Sequence, residues 1–228
     1  MVKHILFDLD HTLFDFNRNS FIALRMLYMK FGLKKHFHSL DSFLSTYKTH
    51  NILLWQLFAK NEVDKEGVSV GRFYRSLCDV GVDNYALARQ MADFYLRTTS
   101  EQKRLMPYAL ATLRYLYRRP YKISIITNGF VEAQYRKINN CGLSHFMTGV
   151  FISEEIGAKK PTPEFFDAVF KSLDTNASEC VVVGDSMESD IQGAVSLGIR
   201  AILYNPDNNP IDADVEQITS LRDLQMLF

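Results

Sequence analysis

Ile5-Leu6-Phe7-Asp8-Leu9-Asp10-His11-Thr12 is the stretch on which the reading of this chain turns. Ile5–Phe7 is a short, wholly apolar run, the pattern of a strand buried on both faces. Asp8 and Asp10 follow where that strand gives way to a loop. On an extended chain, side chains at i and i+2 point the same way, so the two carboxylates stand side by side and repel. A divalent cation between them makes those charges tolerable. Such a pair at a strand's C-terminal edge suits an attack on phosphorus, with one Asp as nucleophile and the other as acid/base.

Further strands are predicted over Lys122–Ile126, Gly149–Ile152, Cys180–Val183 and Arg200–Leu203, with the first over Lys3–Phe7. Between them lie helical patterns. Val131–Asn140 runs to Gly142 as a stop, Pro163–Leu173 opens on Thr162 as cap with Pro at the first helical position, and Met187–Leu197 is closed by Gly198. Alternating strand and helix implies an α/β protein with a doubly wound, Rossmann-like parallel sheet.

Spacing reveals an insertion. A strand–helix–strand unit takes about 30 residues, and Asp8 to Thr127 exceeds that by roughly 85. The helix before the second strand is predicted over Pro107–Tyr117, so the excess falls within residues 16–105. That stretch lacks strand alternation and reads as helices. Phe21, Leu24, Leu27, Tyr28 and Phe31 make one apolar stripe, with Asn17 or Asn19 as its cap. Phe43–Phe58, Phe73–Val80 and Tyr85–Leu96 carry similar stripes. The expected division is an α/β core over 1–15 and 106–228, with a helical bundle over 16–105 lodged in the first crossover.

Composition bounds the function. Lys plus Arg and Asp plus Glu each number 26 in 228 residues, so net charge gives no reason to expect nucleic acid or an anionic membrane as partner. Cys78, Cys141 and Cys180 form no C-x-x-C pair and leave one over, which fits free thiols in a reducing cytosol. The N-terminal residues read as the approach to a strand rather than as a signal peptide, and no apolar run reaches the length of a membrane span, so neither is expected. A soluble cytoplasmic protein is expected, and 47% apolar residues permit monomer or homodimer.

Three more polar segments fall at predicted strand ends. Thr127-Asn128-Gly129 offers a hydroxyl and backbone amides for phosphate oxygens. Lys160-Pro161 offers an ammonium that can neutralise a phosphoryl oxygen or a carboxylate. Gly184-Asp185-Ser186-Met187-Glu188-Ser189-Asp190 offers an acidic pair suited to a hard cation. Open α/β sheets bind ligands outside the carboxyl ends of their strands, so the four segments converge.

Together they resemble the four motifs of the haloacid dehalogenase superfamily of phosphotransferases: Asp8-x-Asp10-x-Thr12, Thr127-Asn128-Gly129, Lys160-Pro161 and Gly184-Asp185-x-x-x-x-Asp190. The helical insertion matches that superfamily's cap domain. The resemblance implies that Asp8 is the nucleophile that becomes an aspartyl-phosphate, and that Asp10 protonates the leaving group and then activates water. It implies that Thr127, Asn128 and Lys160 bind and orient the phosphoryl group. Mg²⁺ would be held by Asp8, the Asp10 backbone carbonyl and Asp185, with Asp190 in support. The dehalogenases lack a carboxylate at the position of Asp10, so its presence favours phosphate chemistry.

A finer resemblance is to bacterial house-cleaning pyrimidine 5′-nucleotidases. It rests on Thr127-Asn128-Gly129-Phe130, Ile152-Ser153-Glu154-Glu155-Ile156-Gly157 and Glu188-Ser189-Asp190-Ile191, and in the cap on Asn51, Leu54-Trp55 and Arg72-Phe73. It implies a small phosphorylated metabolite as substrate, a pyrimidine nucleoside monophosphate, with Trp55 and Phe130 as candidate substrate contacts. Trp55 on an apolar helix face reads equally well as bundle core. A sugar-phosphate phosphatase, a phosphosugar mutase and a non-catalytic regulatory protein are the alternatives on the same fold.

Overall fold

A computed structural model describes residues 1–228. The chain runs β1 (His4–Phe7), α1 (Phe16–Lys30), α2 (Leu40–Ala59), α3 (Lys65–Ser69), α4 (Gly71–Cys78), α5 (Tyr85–Glu101) and α6 (Ala109–Tyr117). It continues through β2 (Lys122–Thr127), α7 (Val131–Asn140), β3 (Met147–Ile152), α8 (Ser153–Ile156), α9 (Pro163–Leu173) and β4 (Cys180–Gly184). A π-helical turn (Met187–Gln192) then leads into α10 (Gly193–Ser196), β5 (Arg200–Tyr204), β6 (Gln217–Ile218) and α11 (Leu224–Leu227). Two compact units result, Met1–Asn17 with Gln102–Phe228, and Arg18–Glu101. No helix is long and apolar enough to cross a membrane.

The first unit is built on a six-stranded sheet of order β3-β2-β1-β4-β5-β6, parallel throughout. Successive strand residues face opposite sides, and here both sides are apolar. Ile5, Phe7, Ile123, Ile125, Val181 and Val183 pack with Leu113, Leu116 and Ile138 on one face. Leu6, Ile126, Val182 and Leu203 pack with Phe165, Phe166 and Val169 on the other. The chain starts at the central strand, moves out to β3 and returns to β4 beside β1. Phe7 lies level with Ile125 and Val183, which brings the segments after β1, β2 and β4 out at one edge.

The second unit buries Leu27, Phe43, Tyr47, Phe73, Leu77, Met91 and Tyr95 among its helices. Ser39 caps α2 by accepting from the Ser42 N–H, and Asp64 caps α3 through the Gly67 N–H. Arg72 is buried there with no carboxylate against it. Its guanidinium lies over the Tyr95, Phe73 and Tyr47 rings, at 4.7, 5.5 and 5.7 Å from their centroids, and donates to Asn51 Oδ1 at 2.9 Å.

Several expectations shift in detail. Asn17 and Asn19 do not cap α1, because the helix already begins at Phe16, whose N–H is turned back onto the Phe14 carbonyl. The helix expected from Pro107 begins at Ala109, after Tyr108 in a left-handed conformation. Met187–Leu197 is helical, but its first stretch is a π-turn. The units divide at Asn17/Arg18 and Glu101/Gln102. Residues 102–106 stay with the sheet unit because Asp15 N–H bonds to the Arg104 carbonyl and Met106 N–H to the Leu13 carbonyl. β6 is too short for its pattern to register in the sequence.

Candidate active site

The Asp8 N–H donates to the Val183 carbonyl at 2.9 Å, so β1 ends paired to β4. The chain then curls tightly. His11 takes a left-handed backbone (φ 68°), and the Leu13 and Phe14 N–H groups both return to the Leu9 carbonyl. Leu9 is buried beneath this curl. Asp8 and Asp10 are thereby aimed at different partners.

Asp8 faces Lys160. The Lys160 ammonium is buried and spends its three donors on Asp8 Oδ1 (2.7 Å), Asp190 Oδ1 (2.7 Å) and the Ile126 carbonyl (2.9 Å). Asn128 fixes the loop that carries it. The Asn128 amide donates to the Lys160 carbonyl at 2.8 Å and accepts from the Lys160 N–H at 2.9 Å. The polar ends of the Asn128 side chain are therefore engaged with main chain. Asp190 takes a second bond at Oδ2 from the Ser186 N–H. A Cβ at position 184 would lie 2.3 Å from Asp190 Oδ2, so only glycine lets the carboxylate close against the end of β4. Thr12 donates to Asp185 Oδ1 at 3.2 Å.

Asp10 is gripped from α7, which Thr127-Asn128-Gly129 feeds. Lys137 Nζ donates to Asp10 Oδ1 and Oδ2, each at 2.7 Å. Gln134 Nε2 donates to Asp10 Oδ2 at 3.1 Å and to Thr127 Oγ1 at 2.6 Å. Position 129 must be glycine for this to happen, because a Cβ there would sit 2.2 Å from Gln134 Nε2. Sequence reasoning found the Thr-Asn-Gly turn but missed Gln134 and Lys137. The available signal was a lysine and a glutamine three residues apart on a short helix leaving a candidate site, beside a carboxylate to which no counter-ion had been given.

The electrostatics favour a cation. Burial holds the Asp8 carboxyl well above its usual range, with Asp190 and Asp185 adding to the effect and Lys160 opposing it. Burial also raises Asp185. For Lys160, burial pulls downward, but Asp190 and Asp8 outweigh it and raise the ammonium above its usual value. Asp8, Asp185 and Asp190 each offer a carboxylate oxygen, and these oxygens lie within 4.8 Å of one another. Lys137 answers Asp10 and Lys160 answers one of the remaining three, which leaves the surplus charge of one divalent ion. The donors are all oxygen, the set that hard cations prefer.

Phe130 is buried just before α7. Trp55 belongs to the helical unit, where it is half-buried on α2 and meets Phe58 edge-on at 5.5 Å.

Residues 5–204 match the family of haloacid dehalogenase-like hydrolases. The HAD-hydrolase YfnB of Bacillus subtilis (strain 168) is 29% identical, covering 99% of this chain and 94% of its own. Its solved structure, described as bound to magnesium, agrees with a TM-score of 0.86 at 28% identity over 99% of this chain and 98% of that one. Pyrimidine 5′-nucleotidase PynA of Streptococcus pneumoniae is 29% identical over 97% of this chain and 93% of its own. Pyrimidine 5′-nucleotidase YjjG of Escherichia coli (strain K12) is 27% identical over 98% and 96% respectively.

Proposed function

The chain belongs to the haloacid dehalogenase-like hydrolases, and on that premise we propose that it is a Mg²⁺-dependent phosphomonoesterase acting on pyrimidine nucleoside 5′-monophosphates. The observation that carries the reaction class is the separation of two carboxylates only two residues apart. Asp8 is buried against Lys160 with Asp185 and Asp190 beside it, and Asp10 is held apart by Lys137 and Gln134. One environment suits a nucleophile at a cation, and the other suits a proton carrier.

Asp8 attacks phosphorus, and the bond to the leaving oxygen breaks as Asp10 gives that oxygen its proton. An aspartyl-phosphate forms on Asp8. Asp10, now a carboxylate, takes a proton from water, whose oxygen attacks phosphorus and frees Asp8 and inorganic phosphate. Lys160 meets Asp8 Oδ1, so its part is to fix the nucleophile's orientation. Asp8 and Asp185 would hold Mg²⁺ with the Asp10 backbone carbonyl, and Asp190 would support them through Lys160. When bound, the ion offsets the charge of the phosphoryl group and of the carboxylates around it.

Metal removal tests the cation directly. Mg²⁺ binds through few protein oxygens and keeps several waters, so EDTA should strip it and abolish turnover. Mg²⁺ at a hundredfold its dissociation constant should stabilise the fold by about 2.7 kcal/mol, a rise of roughly 5–10 °C in Tm for a chain of this length. A melting curve indifferent to both EDTA and Mg²⁺ would remove the cation from the reading.

The substrate class rests on the full-length likeness to PynA and YjjG. A phosphate-release screen with Mg²⁺ over nucleotides and sugar phosphates tests it, with UMP, dUMP or dTMP expected ahead of any hexose phosphate. Trp55, half-buried on α2, is the first candidate to stack on the base. Stacking contributes about 1–3 kcal/mol per base, so Trp55→Ala should raise KM for nucleotides roughly 5- to 150-fold by that measure and leave small aryl phosphates nearly untouched. An equal loss on every substrate, accompanied by a lower Tm, would return Trp55 to a packing role.

A further inference from the structure

Lys137 and Gln134 lie outside the four motifs, yet they hold two of the groups that the reaction needs. They stand three residues apart on α7 and so face the same way. Lys137 is a buried cation whose one carboxylate partner is Asp10. Its ammonium also lies 5.2 and 5.1 Å from the centroids of Phe14 and Phe16, over whose rings it sits. A helix that only had to pack would not need a charge here, since an apolar residue of similar volume does that at less cost.

Gln134 is fully buried, and its orientation is fixed by chemistry. Turning the amide over would set Oε1 against the Asp10 carboxylate, an acceptor facing an acceptor, and would turn the Thr127 hydroxyl into the donor of the other bond. In the observed orientation Oε1 has no partner, so an acceptor is left bare in order to place Nε2 between Asp10 and Thr127. Thr127 Oγ1 accepts from that amide, which leaves the hydroxyl's own hydrogen to donate elsewhere. A phosphoryl oxygen is the acceptor that the proposed reaction supplies.

We propose that Lys137 and Gln134 are positioning residues of the reaction, which act through Asp10 and Thr127; this rests on the phosphomonoesterase reading above. Lys137 keeps the Asp10 carboxyl aimed. When Asp10 passes its proton to the leaving oxygen, the negative charge returns to oxygens that already face an ammonium. Gln134 ties the acid/base to the phosphate-binding hydroxyl, so the two move as one piece with the first turns of α7.

The test is a double-mutant cycle on the Mg²⁺-loaded enzyme, read on an alkyl phosphate and on p-nitrophenyl phosphate. Lys137→Met should lower kcat on the alkyl ester by roughly 10- to 100-fold, part of what a general acid contributes. The loss should be several times smaller on the aryl ester, whose leaving group needs less protonation, and KM should hold. In an Asp10→Asn background the same substitution should cost less than about threefold, because the group through which it acts is gone. Losses that multiply independently, or that are equal on the two esters, would overturn the proposal. Gln134→Leu, which also strips Thr127 of its partner, should weaken inhibition by inorganic phosphate severalfold, and unchanged inhibition would count against its role.

Lys137→Met leaves Asp10 unpaired, so the single variant could fail to fold. The Asp10→Asn/Lys137→Met double variant carries neither charge, and comparing it with Asp10→Asn, in which Lys137 lacks its carboxylate, with melting curves confirming that both are folded, decides the matter: equal activities support the proposal and a further tenfold loss overturns it. If wild type releases phosphate from no monoester, the phosphomonoesterase reading falls. If wild type is active and the cycle is additive, only the positioning role falls.

Discussion

Asp8→Asn should abolish turnover, with a loss of at least roughly 10³-fold in kcat even on an activated aryl phosphate. The substitution keeps the shape of the side chain but removes the anion that attacks phosphorus. It also removes one charge from the acidic group of Asp8, Asp185 and Asp190, so the Mg²⁺ needed for any residual rate should rise. The fold should survive. Burial beside Asp190 and Asp185 already disfavours the Asp8 carboxylate, and a neutral amide relieves that burden. The metal-free variant should therefore melt no lower than metal-free wild type. Lys160 keeps Asp190 and the Ile126 carbonyl as partners. An Asn variant that hydrolyses p-nitrophenyl phosphate within tenfold of wild type would show that Asp8 is not the nucleophile.

Asp10→Asn should act on the chemical step rather than on binding. General acid/base groups contribute about 10²–10⁴-fold, and kcat should fall by that order with KM little changed. The loss should shrink on esters with good leaving groups. A second effect follows from the grip of α7. Asp10 Oδ2 receives both Lys137 and Gln134, and an amide nitrogen in either position would face a donor. With its oxygen at the Oδ2 position the side chain keeps one bond to each and gives up the second Lys137 contact. Equal losses on an alkyl and an aryl phosphate would contradict the acid/base assignment.

The strands were legible because they are apolar on both faces, and β1, β2, β4 and β5 differ from their predicted spans by one residue at one end, β3 by two. The carboxylates of the site were legible because they follow those strands directly. Lys137 was not, because its place on α7 reads as solvated helix until the fold turns it onto Asp10. Gln134 was hidden for the same reason, since a polar residue on a helix carries no mark of burial. β6 has two residues and no periodicity to detect. The borders of the helical unit moved because residues 102–106 are held by backbone bonds to the Leu13–Asp15 segment, and such bonds leave no trace in side-chain pattern. The π-turn after β4 was likewise hidden, because a helical run ending at a glycine looks the same whichever way its carbonyls pair.

The contact between position 129 and Gln134 also restricts the order in which this chain can change. A side chain at 129 meets the Gln134 amide, which can swing aside only by releasing Thr127 and Asp10. A chain that acquires alanine at 129 first loses the bridge at once, whereas one that first shortens Gln134 meets no clash at 129 afterwards. The two positions are therefore coupled, because a side chain at 129 and the Gln134 bridge exclude each other. A chain without the bridge is released from the need for glycine at 129, and the bridge stands only where glycine and glutamine are both present.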